Sequence, residues 1–226
     1  MIDNGVLRKI QKLRENSGST EAEKQAAAAK LQVLLTKLRL TEADIRPLDN
    51  EGKPKANFTR KLVPLGGRKN AWQQLLLEGI ADINHGSIIG RHGHKANVWV
   101  ILEKEMLDPV LALWESLKAE VEELAIAYKK TNPSMGYHPR LHMASYREGV
   151  AAGILDVMRK AAKEEEAAYE GTSALVLHLD HAREEYVTEA FPRLVSTFSS
   201  RGFDFGAYSR GQAAGHSVNP SVRKLR

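Results

Sequence analysis

The chain has 226 residues, 42% of them hydrophobic and 27% charged, the balance of a protein that buries a core rather than one that stays disordered. It contains no cysteine, which excludes disulfides, thiol catalysis and thiolate metal sites and leaves His, Asp and Glu as metal ligands. A net charge of +5 favours polyanionic partners; with no secretory h-region in MIDNGVLRKIQK and no apolar run near the roughly 18 residues of a membrane span, the expected location is the cytoplasm.

Val6, Ile10 and Leu13 recur at helical spacing until Asn16-Ser17-Gly18-Ser19 interrupts them. Thr20 and Glu23 form a capping box that starts a second helix, whose apolar stripe is Ala27, Leu31, Leu34, Leu35 and Leu38. The two helices are expected to pack as an antiparallel hairpin, a module over residues 1–48 closed by a short turn before Pro47. Residues 49–69 are polar, carry Pro54, Pro64 and Gly66-Gly67, and lack a sustained period, which predicts a linker. Between Gly52 and Leu77 there is no acidic residue, whereas Lys53, Lys55, Arg60, Lys61, Arg68 and Lys69 all fall there.

A larger domain is expected over residues 70–226. Trp72, Leu75, Leu76, Gly79, Ile80 and Ile83 share one helical face, and Gly86 ends that helix. Ser87-Ile88-Ile89 and Asn97 to Leu102 predict a β-hairpin, the second strand apolar on both faces and so covered on both. A long helix follows from Lys104 to Lys130, with Pro109 placed in its first turn. After a loop at Asn132 to Gly136 comes a helix from Leu141 to Ala168. Ser173 to Leu179 reads as a third strand, Arg183 to Leu194 as a helix interrupted at Pro192, and Ser196 to Gly206 as a loop before a last short helix. The fold class is therefore α+β, predominantly helical, with a small antiparallel sheet packed by helices.

One pattern occurs twice: YREGVAAG from Tyr146 to Gly153 and YSRGQAAG from Tyr208 to Gly215. A glycine inside a helix costs about 1 kcal/mol relative to alanine, so each copy must recover that elsewhere. Tyr146, Gly149 and Gly153 lie on one helical face, as do Tyr208, Gly211 and Gly215. The expected use is close helix approach, with the copies packed against each other around a local pseudo-symmetry. The alternative is an anion groove flanked by Arg147 and Arg210, although phosphate-binding glycines normally lie in the loop before a helix.

His85, His92, His94, His138 and His142 gather around the hairpin and the later loop, but no H-E-x-x-H occurs and Arg91 and Lys95 would repel a cation, so no metal is assigned. His178, Asp180 and His181 form a possible acid–base group that equally suits a strand-to-helix turn. P-loop, dinucleotide and nucleophile-elbow signatures are absent, so no catalytic residue and no cofactor is assigned. Arg8, Lys9 and Lys12 on the first helix join the connector as a set suited to nucleic-acid phosphates.

The run from Lys9 to Ile45, KIQKLRENSGSTEAEKQAAAAKLQVLLTKLRLTEADI, resembles the N-terminal helical module of a bacterial and phage family known only as a domain of unknown function. Ser145-Tyr146 through Ile154 and Tyr208 through Gly215 resemble the glycine-bearing segments of that family's companion region. Leu31, where the family tends to have alanine, and the longer basic connector depart from the pattern. The resemblance implies a phage or prophage accessory protein acting near DNA and supplies no catalytic residues. Together with the charge it predicts a non-enzymatic nucleic-acid binder; the alternatives are a module that modulates a host protein and a metal-dependent hydrolase or nuclease.

Overall fold

In the computed structural model the described residues are 32, 33, 35–37, 56–65, 71–90, 97–133, 138–168, 172–194 and 202–217. They form strand β1 (Phe58–Pro64), helix α1 (Ala71–Ile83), strands β2 (Ser87–Gly90) and β3 (Asn97–Glu103), and helices α2 (Lys104–Thr131), α3 (Pro139–Ala167), α4 (Thr172–Ala190) and α5 (Phe205–Ser217). The fold is α+β and predominantly helical, with one small antiparallel sheet packed by helices.

β3 is the centre of the sheet, with β1 and β2 antiparallel on either side. The expected hairpin of β2 and β3 is present, with Ile88 opposite Val100. Its turn at 91–96 lies outside the described residues. Alternation along β3 divides the sheet into two faces. Val98, Val100 and Leu102 are buried and join Val63 of β1 in the main core. Trp99 and its cross-strand neighbours on the other face meet the end of α4, where Trp99 lies 6.4 Å from Phe191 and Phe58 lies 6.2 Å from Tyr186. Both faces are thus covered, as a strand without a polar side requires.

Two sequence readings are corrected here. Residues 58–64 belong to β1 rather than to a structureless linker. Phe58, Thr59, Leu62 and Val63 are good strand residues, but Arg60 and Lys61 in their midst hide the alternation, and the pairing partner lies far along the chain. Pro64 is tolerated because β1 is an edge strand. Conversely, Ser173 to Leu179 is helical, continuous with the segment after it. Its Ala and Leu residues favour helix, Val176 is its one β-branched residue, and the third strand position is taken by β1. This helix ends at Ala190 ahead of Pro192, because the residue before proline is biased out of the helical region.

The core lies between the sheet and α1, α2 and α3. Trp72, Leu76 and Ile80 of α1, Val110, Leu113, Trp114 and Val121 of α2, and Val150, Ile154 and Met158 of α3 meet there. α2 starts directly after β3, so Pro109 falls beyond its first turn. Residues 32–33 and 35–37 are helical, and Leu35 is fully buried in this same core. Gln32 and Asn84 exchange side-chain amide hydrogen bonds at 3.1 and 3.3 Å. The described part of the second N-terminal helix therefore packs on the body. The rest of that expected hairpin, with Arg8, Lys9 and Lys12, lies outside the described residues, as do Lys53, Lys55, Arg68 and Lys69.

Candidate functional site

The two glycine motifs meet each other. A Cβ built on Gly149 would collide with the Tyr208 carbonyl oxygen, and one on Gly211 would collide with that of Tyr146. The next turn repeats the exchange: Gly153 faces the Gln212 carbonyl, Gly215 faces that of Val150, and each would set a Cβ 2.8 to 2.9 Å from the other's Cα. Equivalent motif positions thus make equivalent contacts, which is a local two-fold relation between α3 and α5. Partners advance together along both helices, so the two run in the same direction. Each helix carries G-x-x-x-G, the spacing that lets backbones touch. The close-packing reading of the motif holds, and the groove is filled by protein.

At the N-terminal end of this joint the polar side chains line up. Asp204 precedes α5 and caps it, its Oδ1 accepting the Ala207 N–H at 2.9 Å. Its own N–H donates to the Oγ of buried Ser145 at 2.9 Å, tying the cap to α3. Asp204 Oδ2 lies 2.8 Å from His142 Nδ1, His142 Nε2 lies 3.0 Å from the Tyr128 hydroxyl, and Arg210 Nε donates to that hydroxyl at 3.0 Å. The Ala207 N–H, followed by the His142 hydrogen bond, holds the Asp204 carboxyl below the usual carboxylate range. The Tyr128 ring stacks on Tyr146 at 3.9 Å between centroids and on His142 at 5.8 Å. Burial, and then the charges of Asp156 and Glu148, push the Tyr208 phenol up.

His85 occupies a second polar cluster. It ends α1 with φ of 56°, and the bonds from His85 N to Asp82 O and from Gly86 N to Ala81 O make a Schellman cap with histidine where glycine is usual. Its Nε2 is 3.2 Å from Glu166 and its Nδ1 3.3 Å from Asp180, so it bridges the end of α3 to α4. Gly86 is needed for a different reason: its Cβ would strike β3 at Ile101 O and Leu102. Asp180 also pairs with Arg183, whereas His181 turns to Glu185, so the expected His178, Asp180 and His181 group is split between two directions on a helix. His92 and His94 lie outside the described residues, and His85 is remote in sequence and partners from His142. No group of three or more His, Asp or Glu is placed to hold a metal among the described residues.

Of the basic residues expected to contact nucleic acid, Arg60 and Lys61 are described, side by side on edge strand β1 and both exposed. The Arg60 guanidinium lies against both of two neighbouring rings, 5.2 Å from Trp99 and 5.1 Å from Phe191, and donates to Ala190 O at 3.3 Å. Lys61 points the other way, to Asp108 at 3.3 Å. Arg147 is held by Glu122 at 2.8 Å rather than facing a groove.

Sequence reasoning missed Asp204, Ser145 and Tyr128. Asp204 carries a signal, an acidic residue immediately before a helix, but the sequence places Ser196 to Gly206 in a loop, whereas the helix starts at Phe205. Tyr128 falls on the apolar stripe of α2, and nothing local announces the hydroxyl that reaches back to His142. No helix among the described residues is long and apolar enough to cross a membrane. Comparison with family models, with characterised proteins and with solved structures finds no match.

Proposed function

We propose that the protein is an accessory protein of phage or prophage type that binds nucleic acid in the cytoplasm of a bacterial host, without catalysis by its basic half. Arg8, Lys9, Lys12, Lys53, Lys55, Arg60, Lys61, Arg68 and Lys69 contact phosphates, and the α+β body is the scaffold that carries them. The observation that carries this reading is the acid-free stretch from Gly52 to Leu77 with its six basic residues, whose middle forms β1, an edge strand of the sheet among the described residues. Lysine and arginine so placed neutralise phosphates without reading bases, releasing counterions as they do. The resemblance to a bacterial and phage family supplies the setting.

A host-protein docking module would offer the apolar stripe of the second N-terminal helix, but Leu35 from that stripe is buried in the protein's own core. Nucleic acid is therefore the preferred partner. The test is fluorescence anisotropy with labelled duplex and single-stranded DNA and RNA at about 50 and about 200 mM salt. Wild type is compared with a K53Q/K55Q/R68Q/K69Q variant. Binding should weaken steeply with salt, and the slope of log K against log salt should fall by about 0.7 to 0.9 for each phosphate that the variant leaves unneutralised. The absence of salt-sensitive affinity for any of the three nucleic acids would refute the proposal.

A further inference from the structure

Proton positions in the chain of side chains at the α3–α5 joint follow from the partners. Arg210 Nε can only donate, so the Tyr128 oxygen accepts from it, and whenever His142 is neutral the phenol O–H goes to His142 Nε2. His142 then carries its proton on Nδ1, donated to an Asp204 carboxylate already fixed by the Ala207 N–H. In the neutral imidazole the phenol proton thus has one destination, the Nε2 of a ring that the carboxylate holds in the accepting tautomer. This is the logic of a nucleophile, its base and the group that orients the base. His142 is buried, Tyr128 is half-buried and Arg210 is exposed, so the chain runs from the interior to solvent. One helical turn before His142 opens a cleft of about 440 Å³ lined by His138, Pro139, Arg140 and Leu141 among the described residues.

We propose that Tyr128 is a nucleophile toward an anionic electrophile, a phosphate ester, with His142 as its base, Asp204 as positioning residue and Arg210 as the anion contact. Tyr128 Oη forms the bond to phosphorus, its proton passes to His142 Nε2, and the ester oxygen leaves with its electron pair and takes that proton. The product is a phosphotyrosine ester and a free alcohol; no further reactant is needed. Arg210 is the cation beside the attacking oxygen, and Arg140 adds positive charge at the neighbouring cleft. This inference uses none of the residues assigned to nucleic-acid binding and stands independently of that reading.

The experiment treats the full chain with an anionic aryl sulfonyl fluoride, 4-(fluorosulfonyl)benzoate, and separately with neutral phenylmethanesulfonyl fluoride, mapping modified tyrosines by mass spectrometry. Sulfur–oxygen bond formation with loss of fluoride reports the same nucleophile. Tyr128 should react at least about tenfold faster than any of the other five tyrosines, and the anionic reagent should be preferred. The deciding variant is Asp204→Asn, which keeps the cap because an asparagine oxygen accepts the Ala207 N–H. Its amide N–H donates to His142 Nδ1 and moves the histidine proton to Nε2, where it can no longer accept from Tyr128. A folded D204N protein that has lost at least about tenfold in Tyr128 labelling, with R210Q losing the preference for the anionic reagent, supports the proposal. Wild-type Tyr128 reacting no faster than the other tyrosines, D204N labelling at the wild-type rate, or R210Q keeping the anion preference overturns it.

Discussion

Helix α5 and strand β1 are fastened to the body in opposite ways. α5 lies backbone against backbone on α3, with a glycine at each point where a side chain would otherwise stand. β1 is attached by ladder hydrogen bonds to β3, and its exposed side chains add contacts around that frame. The first attachment leaves no volume to adjust; the second depends on groups that water can solvate once their partners are removed. Size at the glycine joint and charge or ring chemistry on β1 are therefore the sensitive variables, and substitutions should separate the two regions cleanly.

The largest effect is expected at the joint. Alanine at Gly149 or Gly211 gains roughly 1 kcal/mol of helix propensity but drives a methyl into a carbonyl that cannot rotate away, an overpacking cost of about 1–3 kcal/mol or more. Both variants should be less stable in urea unfolding, and Gly211→Leu should release α5 altogether. Gly206, in the first turn of the same helix, has its nearest neighbours at 3.5 and 3.6 Å, both in side chains. There alanine should stabilise by up to about 1 kcal/mol. Opposite signs within one helix make the test sharp; stabilisation by Gly211→Ala would remove the backbone-contact account.

The joint was the most legible part of the sequence because its cause is local and repeated: two glycines on one helical face have few uses besides close approach. The long helices were equally readable from their apolar spacing. β1 was hidden because Arg60 and Lys61 interrupt its alternation and its partner strand is remote, and the start of α4 was misread because a short apolar run has no period to separate helix from strand. The polar chain of Tyr128, His142, Asp204 and Arg210 draws on three helices. Only the tertiary arrangement brings those residues together.

A smaller effect at the same joint tests whether its polar end contributes separately from its glycines. Asp204→Ala removes a helix cap and should cost about 0.5–2 kcal/mol at neutral pH. The Asp204 carboxyl is held below its unfolded value, chiefly by the Ala207 N–H and then by His142. Its contribution is therefore present above the ordinary carboxylate pKa of about 4 and is lost as pH falls through the lower folded value. Urea midpoints measured between about pH 6 and about pH 2 should converge for wild type and D204A at the acid end. A constant gap across that range would mean that the carboxylate charge contributes nothing at the joint.

The smallest effects belong to β1, and their ranking sharpens the contrast. Arg60 lies on two rings and one carbonyl, so Arg60→Ala should cost on the order of 1 kcal/mol and alter the emission of Trp99, the tryptophan that is not fully buried. Arg60→Lys should recover less than half of that, since an ammonium has no plane to lay against the rings. Lys61→Ala breaks one exposed pair with Asp108 and should change stability by about 0–1 kcal/mol, less at high salt. Neighbouring basic residues on one strand would then differ because one lies against both Trp99 and Phe191 and the other reaches only an exposed carboxylate. Equal losses at the two positions would show that β1 responds to charge alone, and that the rings around Arg60 are neighbours rather than partners.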